Sequence, residues 1–229
     1  MRSDPSEIVA LLSRFTGPDL TQTLARIEDA VRGVSADACA AFLDDSGAGH
    51  EALAAAAEMK RLAGQFNVTI HALGILLCLP HILEPGELVE SVSLGAGNTG
   101  RQFDLETSFR VAEFKFIRWR GGAESIRQNS IFKDLFLLVE SQIPKQKFLY
   151  LLGTHHALKF LNGGRALKSV LSLNEKVRES FFGRYGDRFR TVRDYYNAHK
   201  GAVRIEDVSP WLPELAVAPI DQEPAEEFS

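Results

Sequence analysis

The sequence predicts a mixed α/β fold in which helices flank a central sheet. Three observations support this class: helical apolar spacing up to about residue 83, a change to period-two alternation over residues 88–119, and a helix–strand–helix pattern after residue 122. The chain has 229 residues, of which 45% are apolar and 24% charged, as expected for a globular domain with extensions. Its two cysteines have no paired spacing, which argues against a disulfide framework or a zinc site.

Residues 1–45 are predicted to form an N-terminal helical extension. Apolar residues recur there at helical spacing, at Leu20, Leu24, Ile27 and Val31. A second short helix is expected near residues 36–43, and the turn-rich residues 44–49 indicate a boundary. A helix over residues 51–66 should follow, and then an apolar element of 16 residues, 68–83. That run is shorter than a membrane span requires, so we expect it in the core.

Alternating apolar and polar residues predict strands over residues 88–94, 102–106 and 110–119. Residues 95–100 match the G-x-G-x-x-G pattern of dinucleotide sites. Such a site requires a helix directly after the glycines, whereas residues 101–106 alternate like a strand, so we interpret the glycines as a hairpin turn.

Beyond the three strands, helices are predicted over residues 123–141, 155–173 and 173–182, with a strand over residues 147–152. The main domain would then span residues 46–204. Residues 205–229 are acidic and include several prolines, and they are expected to form a tail without stable structure.

Charge is distributed unevenly along the chain, although the net charge is only -4. Residues 101–204 contain 20 Lys and Arg against 10 Asp and Glu, while the remaining residues contain 6 against 20. A basic segment in an acidic protein favours a surface that binds a polyanion. The alternative is that ordinary surface charges have separated along the chain without a binding role.

One hairpin brings charged residues together above an apolar face. If residues 102–106 and 110–119 pair around Ser108 and Phe109, Asp104 lies opposite Glu113, and Lys115 projects on the same side. The other side would carry a core face of Phe103, Leu105, Ala112, Phe114 and Phe116.

Two carboxylates opposed across a strand pair repel each other. A divalent cation between Asp104 and Glu113 would turn this repulsion into coordination, since hard oxygen ligands suit Mg²⁺ and Mn²⁺. Two alternatives stay open. Lys115 would simply neutralise Glu113 in a surface ion pair, or a bulge would shift the register and move Asp104 to the other face.

Asp104 followed by Glu113-Phe114-Lys115 resembles the D…(D/E)-x-K signature of the PD-(D/E)XK nuclease superfamily, which has the restriction-endonuclease-like fold. The order of elements is also similar, and the resemblance covers about residues 50–160, although Gln102-Phe103 replaces the proline of the signature. The resemblance implies that Asp104 and Glu113 bind Mg²⁺, or Mn²⁺ as a substitute, with the backbone carbonyl of Phe114. It also implies that Lys115 assists the attacking water.

Some branches of this superfamily carry a further glutamine in the next helix, within a Q-x-x-x-aromatic pattern. Gln128-Asn129-Ser130-Ile131-Phe132 is similar to that pattern, with Phe in place of the commoner Tyr. The resemblance therefore implies that Gln128 is a fourth catalytic residue, which positions the lysine, the water or the metal shell.

Basic residues near the signature are candidate nucleic-acid contacts. They are Arg118, Arg120, Arg127 and Lys133, which would face backbone phosphates; alternatively each is a solvated surface charge. Trp119 would stack on a base or, alternatively, cap the core.

Together these observations predict a Mg²⁺-dependent nuclease that hydrolyses phosphodiester bonds, with DNA favoured over RNA. One alternative is an inactive protein of nuclease fold that serves as a nucleic-acid-binding or assembly subunit. A weaker alternative is a protein-interaction module that uses the helical N-terminus and the acidic tail. The first residues lack the regions of a signal peptide, so we expect a cytoplasmic location and no membrane partner. A homodimer or a larger assembly stays open.

Overall fold

The computed structural model describes residues 4–33, 35, 38, 46–95, 100–119 and 124–217. The helix predicted near residues 36–43 and the middle of the glycine pattern fall almost wholly outside these ranges. The chain divides into two compact units, Met1–Val68 and Thr69–Ser229. One continuous helix, residues 50–82, contains the point of this division.

Three helices begin the chain: α1 Pro5–Thr16, α2 Leu20–Val31 and α3 His50–Ile82. Aspartates cap the first two, since Asp4 accepts a hydrogen bond from the Ser6 N–H and Asp19 from the Gln22 N–H. In α3 the predicted helix and the apolar element that follows it form a single helix of 33 residues, with Pro80 in its last turn.

The second unit contains a five-stranded mixed sheet in the order β1-β2-β3-β4-β5. The strands are β1 Val89–Val92, β2 Leu105–Thr107, β3 Arg110–Lys115, β4 Gln146–Leu151 and β5 Arg204–Asp207. The first three strands form an antiparallel meander, and β3, β4 and β5 run parallel. This arrangement confirms the predicted α/β class.

Helices supply the connections that parallel strands require. One helix, α4 Ser125–Glu140, links β3 to β4. Between β4 and β5 lie α5 His155–Leu161, α6 Leu167–Val170, α7 Glu175–Tyr185 and α8 Val192–His199. A 3₁₀ turn Ser209–Trp211 and α9 Pro213–Val217 follow β5.

Each face of the sheet has its own apolar core, because successive side chains of a strand point to opposite faces. Val111, Leu149 and Leu151 face α4 and the helices that follow it. Ala112, Phe114 and Tyr150 face the last turns of α3, where Ile75, Cys78 and Ile82 are buried. Phe103 packs with the first of these cores, and not with Leu105 and Phe114 as predicted, since it precedes the regular part of β2.

A glycine allows α3 to approach the sheet closely. A Cβ atom at Gly74 would lie 2.7 Å from the ring of Phe116, so any larger residue would have to displace this ring. One turn earlier, His71 meets the same ring edge-on, with 5.8 Å between the ring centroids. The contact therefore holds His71 next to the end of β3.

One sequence prediction requires correction after β4. The tail was predicted to begin at residue 205, but Arg204–Asp207 forms an edge strand. Val208 and Leu212 are fully buried beyond it. The burial of these two apolar side chains stabilises the segment that follows β5. Residues 218–229 lie outside the described ranges.

The apolar run at residues 68–83 was predicted to be too short to span a membrane, but it belongs to a longer helix. In the described part of the chain, α3 alone is long and apolar enough to cross a membrane, judged by length and composition. Length therefore does not exclude a span, contrary to the sequence argument. Core helices of soluble proteins pass the same test, and one side of α3 packs against the sheet while Leu73, Leu76 and Leu77 are exposed.

Candidate active site

The hairpin has the register predicted from the sequence. Leu105 pairs with Ala112 and Glu106 pairs with Val111, so Asp104 lies directly before β2 at the level of Glu113. The Oδ2 atom of Asp104 accepts a hydrogen bond of 2.9 Å from the Phe114 N–H. The carboxyl groups of Asp104 and Glu113 are close enough to hydrogen-bond to each other. The two acids therefore meet, as the pattern predicted.

The pKa of Glu113 is raised, whereas that of Asp104 is lowered. Burial raises the pKa of Glu113, and the negative charges of Asp104 and Asp134 raise it further, to about 9. The ammonium group of Lys115 opposes this rise without cancelling it. The site is thus short of positive charge, and a bound cation would release the proton from Glu113.

Asp104 is ionised although it is largely buried. Burial would raise its pKa, but hydrogen bonds from His71 and from the Phe114 N–H hold the pKa below its ordinary value. The Nε2 atom of His71 lies 3.3 Å from Oδ1 of Asp104. One oxygen therefore faces α3, and the other is fixed by the backbone of β3.

Lys115 forms an ion pair with Asp134, with 2.9 Å between Nζ and Oδ2. Burial would lower the pKa of the amine, but Asp134, Glu113 and Asp104 outweigh this effect and raise it. Lys115 is therefore a fixed ammonium group at one side of the acidic pair. Its side chain stays 31% exposed, which leaves it within reach of a ligand from solvent.

Asp134 and His71 were missed in the sequence. Asp134 is only 4% exposed, in the buried stripe of α4 formed by Ile131, Leu135 and Leu138. An acid in an apolar helical stripe was a visible signal, because buried carboxylates are rare unless they are paired. His71 gave no comparable signal, since its partner Asp104 lies far away along the chain.

The site lies at the carboxyl ends of the parallel strands, where α/β sheets commonly bind ligands. Glu113 and Lys115 come from the end of β3. At the neighbouring strand ends, Asp207 Oδ1 accepts hydrogen bonds from the N–H groups of Gly153 and Ser209. These bonds fix the loop after β4 next to the end of β5.

The other predicted site residues lie in varied surroundings. The carboxamide oxygen of Gln128 accepts a hydrogen bond from the guanidinium of Arg165, and not from the lysine that the resemblance implied. The catalytic role of Gln128 therefore stays a prediction. Arg127 forms an ion pair with Glu124, and the exposed Arg118 donates to the carbonyl of Ala216. Lys133 precedes Asp134 in the chain. Burial raises the pKa of Asp134, and the positive charge of Lys133 opposes this rise without cancelling it. Arg120 lies outside the described residues.

A pocket of about 120 Å³ opens beside Lys115. Its walls are mainly apolar and come from the ends of β3 and β4, the start of α4 and the start of α5. The lining residues are Lys115, Ile117, Trp119, Ile126, Arg127, Ser130, Ile131, Leu151, Leu152, Gly153 and Ala157. The pocket and the acidic pair thus share Lys115.

Comparisons with known proteins identify no relative: no family model, no curated protein and no solved structure matches this chain.

Replacing Glu113 by glutamine should stabilise the metal-free protein. Ionising Glu113 costs free energy in the folded state, so its contribution to stability is complete below pH 4.5 and declines as the pH rises towards 9. The glutamine side chain would keep the hydrogen bond to Asp104 without this penalty. We expect E113Q to exceed the wild type by about 1–3 kcal/mol in the free energy of unfolding near pH 8.

Urea unfolding in EDTA at pH 5, 7 and 9 measures this difference, which should grow with pH. The variant Glu179→Gln, on the exposed surface of α7, is the control and should change stability by less than about 0.5 kcal/mol. A destabilised E113Q protein would mean that the carboxyl groups do not repel each other.

Proposed function

We propose that this protein is a metal-dependent nuclease with a restriction-endonuclease-like fold, which hydrolyses phosphodiester bonds and acts on DNA in preference to RNA. The observation that supports this most strongly is the meeting of Asp104 and Glu113 from adjacent strands, beside a lysine ammonium group held by Asp134. The basic residues of the second half of the chain favour a polyanionic substrate.

The residues present fit a magnesium or manganese ion. In the described ranges, no three His, Cys, Asp or Glu side chains form a complete metal cage. Magnesium does not require one, since it commonly binds through one or two carboxylates and keeps several waters. Asp104 and Glu113 would hold the ion, together with the Phe114 carbonyl that the resemblance implies. Such an ion supplies a bound water of lowered pKa and neutralises charge on a phosphate.

The protein's own groups have separate tasks in this proposal. Asp104 is already ionised and oriented by His71 and by the Phe114 N–H, so it needs no rearrangement. Glu113 gives up its proton when positive charge enters the site, because that proton is retained only through burial and the nearby anions.

Lys115 acts as an ammonium group and not as a base, because its raised pKa keeps it protonated. It would orient the attacking water and stabilise negative charge that develops on the phosphate. Asp134 acts through Lys115 and is therefore a positioning residue.

The test is cleavage of labelled single- and double-stranded DNA and RNA, with Mg²⁺, with Mn²⁺ and with EDTA. We expect cleavage only with a metal and no cleavage by Asp104→Asn, which keeps the size of the side chain but loses its charge. Calorimetric titration with Mn²⁺ should show binding to the wild type and binding weaker by about 10-fold or more to the variant. Metal-independent cleavage, or equal cleavage by D104N, would refute the proposal. Tight Mn²⁺ and DNA binding without cleavage would favour the inactive, nucleic-acid-binding alternative.

A further inference from the structure

The pocket beside Lys115 has a composition that neither the metal nor a phosphate explains. Trp119 forms part of its wall and is 9% exposed, while Ile117 and Ile126 are about half exposed, at 49% and 56%. Exposed apolar side chains around a concave site indicate a ligand-binding surface. A phosphate would lose its hydration against such walls without compensation.

One charged residue of the pocket lining also belongs to the candidate active site. Lys115 lines the pocket and also pairs with Asp134 in the candidate active site. Arg127, a second cation, lies on the first turn of α4. A ligand with an apolar planar part and an adjoining anionic part would therefore match the pocket and the active site together.

The size of the pocket suits a single ring. An apolar cavity of about 150 Å³ holds benzene in another protein, so a pocket of about 120 Å³ that is open on one side can hold one planar ring system. Only a small part of the Trp119 indole is exposed in this wall, because the ring packs against His156 and Phe160.

The neighbouring candidate active site favours a base over an aliphatic ligand. Lys115 belongs both to the pocket and to the acidic site, so a matching ligand carries an anionic group next to its apolar part. A nucleotide joins a base to a phosphate, whereas a leucine side chain carries no anionic group.

We propose that this pocket binds one unpaired nucleobase of the substrate strand, next to the phosphate held at the acidic pair. The inference rests on the proposed nuclease function and extends it to the substrate. Because a base enters the pocket only when it is unpaired, the favoured substrates are single strands, or duplexes that open at the cleaved position.

Base binding can be measured without cleavage through the fluorescence of Trp119. Trp211→Phe leaves Trp119 as the one tryptophan of the chain. In EDTA this protein is titrated with a single-stranded oligonucleotide and with an abasic strand of the same length and charge. We expect saturable quenching by the oligonucleotide and about 5- to 150-fold weaker binding of the abasic strand.

Ile126→Glu in the same background tests the location of the bound base. Ile126 is more than half exposed, so the variant should fold, and the new carboxylate would occupy the pocket mouth. The dissociation constant of the abasic strand divided by that of the intact oligonucleotide should fall by about fivefold or more, towards one. Leu173→Glu, which adds the same charge at a 71% exposed position away from the pocket, should leave the ratio unchanged.

The outcomes separate the two proposals. The pocket assignment is supported if the protein with Trp211→Phe alone prefers the intact oligonucleotide to the abasic strand. Adding I126E should remove this preference, and adding L173E should keep it. The pocket assignment is refuted if metal-dependent cleavage is equally fast for abasic and intact strands and the two variants do not differ. The nuclease proposal then stands. Base-dependent quenching without any metal-dependent cleavage overturns the nuclease and leaves the pocket as a base-binding site.

Discussion

If the protein is the nuclease proposed above, Lys115→Met should reduce the turnover rate by about 10²- to 10⁴-fold and should also lower folding stability, because it leaves the buried Asp134 without its partner. Methionine fills much of the volume of lysine but cannot orient a water or stabilise charge on a phosphate. Asp104 and Glu113 remain in the variant, so Mn²⁺ should bind at least as tightly once the neighbouring ammonium group is gone. Single-turnover cleavage rates and Mn²⁺ titration measure the two effects separately.

Lys159→Met is the matched control for this experiment, because Lys159 is exposed on α5. It should cleave within about twofold of the wild-type rate, as expected for a surface substitution away from the site. Loss of Mn²⁺ binding in K115M would assign Lys115 to the architecture of the metal site. An unchanged rate would remove Lys115 from the mechanism.

Arg110→Met should cost about 3–5 kcal/mol of folding stability, because it leaves a buried carboxylate without its partner. Arg110 donates to both carboxylate oxygens of Glu87 at 2.6 Å, and to the Tyr150 hydroxyl at 2.9 Å. The Glu87 side chain is completely buried in this contact. Urea unfolding at pH 7 measures the loss.

The pH dependence provides a second measurement. Burial would raise the pKa of Glu87, but hydrogen bonds from Arg110, the backbone and Thr107 hold it below its ordinary value. The stability that this pair contributes is therefore present above pH 4.5 and disappears as the pH falls through the lowered pKa. In R110M, folding stability should not fall in this way when the pH is lowered.

A double variant, Glu87→Met with Arg110→Met, should recover most of the stability, since replacing both ions of a buried pair by apolar groups is often neutral. Arg178→Met, at an exposed ion pair of α7, should cost less than about 0.5 kcal/mol. If R110M were as stable as R178M, the pair would have no structural role.

The site was predictable where it depends on local pairing. The register of the short hairpin is fixed, because a slip by one residue would move Leu105 and Ala112 out of their core. The positions of Asp104 and Glu113 follow from that register. After the glycine pattern, the next regular element of the described chain is the strand β2 and not a helix, as the alternation predicted.

What escaped the sequence depends on distant partners. His71 meets Asp104 only because Gly74 lets α3 approach Phe116, a contact between residues far apart in the chain. The strand β5 is short, and its polar residues resemble those of a tail. Its pairing with β4 stabilises it, and no local pattern reveals that pairing.

The two outer strands of the sheet have a consequence for self-association. Both β1 and β5 are only four residues long and carry charged side chains, Glu90 in one and Arg204, Glu206 and Asp207 in the other. Short, charged borders of this kind discourage pairing with a strand of another molecule. Any oligomer of this protein should therefore be built through helical surfaces, and fibril growth by strand addition should be disfavoured.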